Sequence, residues 1–309
     1  MIITINDDFD LYKIAYSGQC FRVKEIAKNT FRFITGEHVV TISADYSDYS
    51  DYPIPSGSSG SALSYSSASL GSLGSAFSYD SATSSPVRLT ASCSRKEWDL
   101  IWHDYFDLDT CYLDIRNSIP KDDEYLLRAA ALGRGIRILK QDYFEMLISF
   151  IISQRKSIPA IKKCIEMLCT EFGEALSGYD DLYRFPTAQE LCAASEDKLR
   201  SCGLGYRLPY VSKACERILH NEINLESLNN LPDEELVATL KTFYGVGDKV
   251  ANCAALFAYH RTSLAPVDTW IKKIIDTKYS GINPFGNYGN YAGIMQQYMF
   301  YAAQHLNKL

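Results

Sequence analysis

The stretch that most constrains this chain is YGVG at residues 244–247, set between PDEELVATLKTF and DKVANCAALFAYH. The first flank opens with acidic residues and then carries apolar ones at helical spacing, while the second has the near-continuous apolar pattern of a buried helix. Two helices joined by so short a link fold back on each other as a hairpin. Gly245 and Gly247 are expected to allow positive φ and close approach of another backbone, leaving the amides of Val246, Gly247 and the following turn open. A helix N-terminus of this kind binds phosphate without basic side chains.

Lys249 lies in the first turn of the second helix. It meets the positive end of the helix dipole there, and partial burial also disfavours its charge, so both effects favour a neutral, nucleophilic amine. A lysine that snorkels to solvent or meets a phosphate is the alternative. Nineteen residues on, APVDTWIKKII places Asp268 behind Pro266 at the N-cap of a further helix, a position that suits Asp in its own right. A fixed carboxylate near such a lysine is also an acid–base pair of the catalytic kind.

The rest of the 309 residues divides by pattern. Segments such as FRFITGEHVVTIS read as short antiparallel strands, and after about Lys96 the periodicity becomes helical. DYFEMLISFIIS has helical apolar spacing, and PAIKKCIEMLCTEFG starts on Pro and stops at Gly. These patterns predict an α+β protein: an N-terminal antiparallel β-sheet domain over 1–125, then an all-α domain over 126–309. Between the strands, at about 50–90, the composition narrows to Ser, Gly, Ala and a few Tyr, which predicts a disordered insertion.

The formal charge of -6 argues mildly against a polyanionic partner. It is unevenly spread, however. Residues 1–130 hold 11 Lys and Arg against 18 Asp and Glu, a balance of -7, whereas residues 131–309 hold 20 against 19, a balance of +1, so any polyanion site belongs to the second half. The nine cysteines form no CxxC pair and have no histidines at zinc spacing, which predicts reduced, mostly buried thiols and no metal or cofactor. No apolar run reaches membrane-span length and the start lacks the features of a signal peptide, so the expected location is cytoplasmic, with the nucleoid if the source is prokaryotic.

YGVGDKVANC followed by APVDTW resembles the helix-hairpin-helix, Gly/Pro and Asp signature of base-excision DNA glycosylases, in which a lysine after the second glycine marks the bifunctional members. SGQCFR (17–22), QDYFEMLISFIIS (141–153), GLGYR (203–207) and YAGIMQQYMF (291–300) resemble, more narrowly, the 8-oxoguanine DNA glycosylase/lyase family. The resemblance implies a monomer acting on double-stranded DNA that contains oxidised guanine, with the damaged base flipped into a cleft. Lys249 would attack C1′ and form a Schiff base, followed by β-elimination, and Asp268 would stabilise charge at the sugar. Cys253 and Phe300 would sandwich the base, Gln296 would bond its Watson–Crick edge, and the Gly18 carbonyl would read its N7 hydrogen. Tyr206 would be the wedge in the duplex, Arg207 the reader of the orphaned base, and Gly245, Val246 and Gly247 the phosphate-binding turn.

Three positions depart from the family pattern. In SQRKSIPAI, Arg155 replaces an asparagine and Ala160 stands where a second arginine is expected, and Trp270 stands where a histidine is usual. The SQRKSIP turn resembles that of alkylbase glycosylases, so a broader damage range, a monofunctional glycosylase and a non-catalytic DNA-binding module are the rival readings. An enzyme with the C-terminal four-cysteine iron–sulfur loop is excluded, because no cysteine follows Cys253.

Overall fold

The computed structural model describes residues 1–45 and 86–305. Most of the insertion expected at 50–90 lies outside the described residues, although Val87–Ala91 is a strand. Five antiparallel strands, β1 (Ile2–Ile5), β2 (Val23–Ala27), β3 (Thr30–Thr35), β4 (His38–Asp45) and β5 (Val87–Ala91), form one sheet in the order β1-β5-β4-β3-β2. Alternation decides which face is buried. Phe31 pairs with Ile42 and Phe33 with Val40 across β3 and β4, and all four side chains are fully buried. They pack against the aromatic run that follows the sheet, with the Phe33 and Phe106 rings 5.2 Å apart and nearly perpendicular.

A short helix, α1 (Leu11–Tyr16), interrupts the sheet, and the longer helices follow it. These are α2 (Glu124–Leu132), α3 (Tyr143–Ser153), α4 (Ile158–Phe172), α5 (Leu208–Leu219), α6 (Asp233–Leu240), α7 (Asp248–Phe257), α8 (Thr269–Lys278) and α9 (Ala292–His305). Their boundaries follow local chemistry. The Asp142 carboxylate caps α3 by accepting from the Glu145 amide at 2.7 Å. Pro159 lies in the first turn of α4, and a side chain on Gly173 at its end would come within 2.1 Å of the Arg184 carbonyl oxygen. No helix among the described residues is long and apolar enough to cross a membrane.

The sheet and the helices are joined along SGQCFR. Cys20 is buried in the sheet-side core and the adjacent Phe21 in the helical core, where its ring meets Phe150 at 5.5 Å. The other joint is Arg137, which is fully buried with its guanidinium 4.2 Å above the Tyr112 ring. It donates to the Asp7 carboxylate and to the carbonyls of Asp8, Phe106, Asp107 and Thr110, which uses all five N–H donors. Removing it takes a donor from one carboxylate and four carbonyls, of which the Asp7 carboxylate keeps the Tyr112 and Leu113 amides. Arg137→Met should therefore lower the unfolding free energy by about 3–5 kcal/mol in urea titrations; a loss below about 1 kcal/mol would show that water replaces the guanidinium.

Candidate active site

The hairpin forms as expected, with α6 and α7 joined by residues 241–247. Its two glycines do different work. Gly245 has φ +81, and a Cβ there would meet the Tyr210 ring at 2.5 Å, so both conformation and space require glycine. Gly247 corrects the expectation of positive φ: it is the extended N-cap of α7, with φ -101, no side-chain cap, and open space where a Cβ would stand. Among the described residues, the amides of the first turn of α7 thus have no side-chain cap and nothing lies within 4 Å of where a Gly247 Cβ would stand. Val246 between them is buried.

Lys249 follows in that first turn and is half-buried. Its Nζ donates to Ser153 Oγ at 3.3 Å and lies 5.2 Å from the centre of the Phe150 ring. One turn further on, the Cys253 thiol is buried, and burial pushes its pKa up, against the pull of the nearby Lys249 charge. Asp268 caps α8 as the spacing predicted, accepting from the Ile271 amide at 2.9 Å. Burial raises its carboxyl above the ordinary 3.8, while the Ile271 amide and the Lys249 charge act the other way. Lysine and carboxylate therefore share one electrostatic environment, across the 19 residues that separate them in the chain. Trp270, two residues beyond, is exposed.

A second group of predicted residues meets at α9. Gly18 has φ +80, and a Cβ there would stand 3.1 Å from the Phe300 ring and 3.2 Å from Ile158. Gln296, one turn before Phe300, is buried, and its Oε1 has no hydrogen-bond partner among the described residues. A buried amide oxygen left without a donor is costly, and a ligand that donates there removes the cost. Helices α7 and α9 touch at Gly293, where a Cβ would strike Leu256 at 2.6 Å.

The third group surrounds the Gln154 backbone carbonyl. Arg155 is exposed and holds φ +52, an uncommon conformation for a non-glycine residue that recurs at functional sites. The Gln154 side chain donates to the Gly245 carbonyl at 3.2 Å, which ties this turn to the hairpin. Tyr206 is 50% exposed, rests edge-on against Tyr210 and donates to the Gln154 carbonyl at 3.4 Å. Arg207 differs from its predicted placement. Its guanidinium is 5% exposed, stacks 4.3 Å from the Tyr206 ring, and donates to the carbonyls of Gln154 and Leu204, so it faces inward rather than toward a partner base. Ala160, in the first turn of α4, offers no polar group. Sequence reasoning missed two residues: Ser153, on which Lys249 rests, and Gln297, which donates to the Ser17 carbonyl at 2.6 Å. Both lie inside quoted motifs, QDYFEMLISFIIS and YAGIMQQYMF, but no spacing within them marks these two side chains as contacts of the site.

Residues 1–147 match the family described as 8-oxoguanine DNA glycosylase, N-terminal domain, and residues 148–283 match the HhH-GPD superfamily of base excision DNA repair proteins. The N-glycosylase/DNA lyase of Saccharomyces cerevisiae is 33% identical over 190 residues, covering 57% of this chain and 50% of the relative. N-glycosylase/DNA lyase OGG1 of Arabidopsis thaliana is 31% identical over 234 residues, covering 68% of this chain and 64% of the relative. The match thus spans about half to two thirds of these curated relatives. The solved 8-oxoguanine glycosylase/lyase of Clostridium acetobutylicum, in complex with double-stranded DNA containing cytosine opposite 8-oxoguanine, superposes with a TM-score of 0.79 at 31% identity, covering 100% of this chain and 99% of that one.

The raised carboxyl of Asp268 has a defined sign. Ionising it costs folding energy, so its favourable contribution is present below about 3.8 and is lost as pH rises through the higher folded midpoint. Asp268→Asn, which keeps a cap acceptor, should be at least as stable as the wild type at pH 7. A carboxyl-detected NMR titration should place the Asp268 midpoint above 3.8 and move it further up in Lys249→Gln; a midpoint unmoved by that substitution would mean that the two groups do not interact.

Proposed function

Because the chain belongs to the 8-oxoguanine DNA glycosylase family of the helix-hairpin-helix base-excision superfamily, we propose that it is a bifunctional glycosylase and abasic-site lyase that excises 8-oxoguanine from double-stranded DNA. It acts as a monomer in the cytoplasm, with the nucleoid if its source is prokaryotic. The observation that carries this reading is the Lys249 amine in the first turn of α7, beside the half-buried Asp268 and behind an uncovered glycine turn. A binding module needs the turn but neither charged residue.

In this reading phosphate sits on the open amides of Gly247 and the first turn of α7, since the Val246 amide already donates to the Phe243 carbonyl at 3.0 Å, and the damaged nucleotide turns into the space between α7 and α9. Once it has given up a proton, the Lys249 amine bonds to C1′ as the C1′–N9 bond breaks and that bond's electron pair leaves with the base. Asp268 stabilises the positive charge that develops on the sugar, and its ionised form is required. Loss of a proton from nitrogen and opening of the sugar ring give the Schiff base. Removal of a C2′ proton then expels the 3′ phosphate by β-elimination, and hydrolysis frees the lysine.

Cys253 and Phe300 flank the base, and the unpartnered oxygen of Gln296 accepts a hydrogen bond from its edge. The Gly18 carbonyl supplies selectivity. Guanine presents an acceptor at N7 and 8-oxoguanine a hydrogen, so only the lesion satisfies that carbonyl, a difference of about 1–3 kcal/mol. Tyr206 fills the gap left in the duplex.

Borohydride should trap wild-type protein on 8-oxoguanine DNA and leave Lys249→Gln untrapped; equal trapping of both would move the nucleophile elsewhere. The base opposite the lesion is read weakly in this proposal, because Arg207 is held by Gln154, Ala160 adds no donor, and Arg155 reaches phosphate without base preference. Loss of one bidentate contact, about 1–3 kcal/mol, shrinks a cytosine preference roughly ten- to a hundredfold. Single-turnover excision opposite cytosine, thymine, guanine and adenine should accordingly occur at similar rates; a cytosine preference above about a hundredfold would mean that Arg207 turns outward on DNA and rebuilds the reader.

A further inference from the structure

Two glutamines stand side by side on α9 and do different things. Gln296 keeps an unpartnered oxygen, whereas Gln297, 2% exposed, donates its Nε2 to the Ser17 carbonyl at 2.6 Å across 280 residues of sequence. A buried amide needs a partner, but it does not need one on the loop that carries Gly18.

The loop around Gly18 is held on both sides. After the glycine, the Gln19 side chain donates to Ser17 Oγ and to the Arg137 carbonyl, both at 2.8 Å, and accepts from the Leu139 amide, while Gln141 donates to the Gln19 carbonyl. Before it, the Gln297 bond fixes the Ser17 carbonyl and, because the peptide is planar, the plane that ends in the Gly18 nitrogen. Among the described residues no hydrogen bond ends on the Gly18 carbonyl itself. Glycine at φ +80 has no Cβ to resist rotation of its peptides, so the direction of that free carbonyl depends on the clamps to either side.

We propose that Gln297 is a positioning residue for lesion selection: by donating to the Ser17 carbonyl it aims the Gly18 carbonyl at the base. This rests on the reading of Gly18 as the group that recognises 8-oxoguanine. Gln297 touches neither the base nor the reacting atoms. Its effect belongs to base recognition, and the lyase step at a preformed abasic site does not involve it, because no base is present there.

The test compares wild type, Gln297→Met, Gly18→Ala and the double variant, in single-turnover excision of 8-oxoguanine and in cleavage of a preformed abasic site. Met preserves volume and removes the donor. The expected result is about a tenfold loss of excision in Gln297→Met, the value of one aimed hydrogen bond, with abasic-site cleavage within about twofold of wild type. In the Gly18→Ala background the same substitution should cost little, because the group it aims is already displaced. If excision and abasic-site cleavage fall together, or if the two substitutions are additive, Gln297 supports the fold and does not aim the reader. If Gly18→Ala leaves the excision rate unchanged, the reading of Gly18 fails first and this inference with it.

Discussion

The Arg137 guanidinium is the joint on which the geometry of this protein depends. Fully buried, it has an acceptor for each of its N–H donors, drawn from residues 7–8 beside the first strand and 106–110 at the end of the sheet-side aromatic run. Full pairing keeps the cost of burying an arginine low, since an unpaired donor leaves desolvation unrecovered. Its own carbonyl accepts from Gln19, so the residue that fastens the sheet layer to the following segment also fastens the loop bearing Gly18. Asp8 adds a parallel set of ties to Arg116 and Arg134. A pocket wall contributed by the sheet domain is thereby held against helices more than a hundred residues away.

A second joint, less buried, is made by the Gln154 carbonyl. It accepts from Tyr206 and Arg207, while the Gln154 side chain reaches the Gly245 carbonyl of the hairpin. The turn after α3, the exposed tyrosine and the glycine turn before α7 thus form one unit, with Arg155 at positive φ on its outer edge. The phosphate contact proposed above is thus compatible with a net charge of -6. The attraction is delivered locally, by open amides at a helix N-terminus and a few cations, and does not require a basic surface.

Asp268 shows function set against stability. Burial raises its carboxyl, so the ionised form, on which the proposed chemistry depends, is the form the fold tolerates less. The helix cap offsets part of that cost through the Ile271 amide, and the Lys249 charge offsets a smaller part. Capping and catalysis were competing readings of one residue in the sequence, and the structure shows that the cap does not preclude a raised carboxyl beside the Lys249 charge.

What the sequence determined by itself was whatever depends on near neighbours. The hairpin between PDEELVATLKTF and DKVANCAALFAYH, the Asp142 and Asp268 caps, the Pro159 start, and the β3–β4 pairing all follow from propensity, periodicity and turn chemistry over a few residues. Ordered motifs made the family legible as well, because the positions of Gly245, Lys249 and Asp268 are set along the chain itself. Only the tertiary structure decided which polar side chains point inward. Arg137 reads like any surface arginine, Gln297 like any helical glutamine and Arg207 like an exposed contact, yet each is buried against a carbonyl supplied by a distant segment. The extended conformation of Gly247, which the glycine alone did not reveal, was settled in the same way. A hydrogen bond between Gln297 and Ser17 leaves no local periodicity, since its strength depends on three-dimensional proximity and exclusion of water, and neither is encoded in the residues on either side.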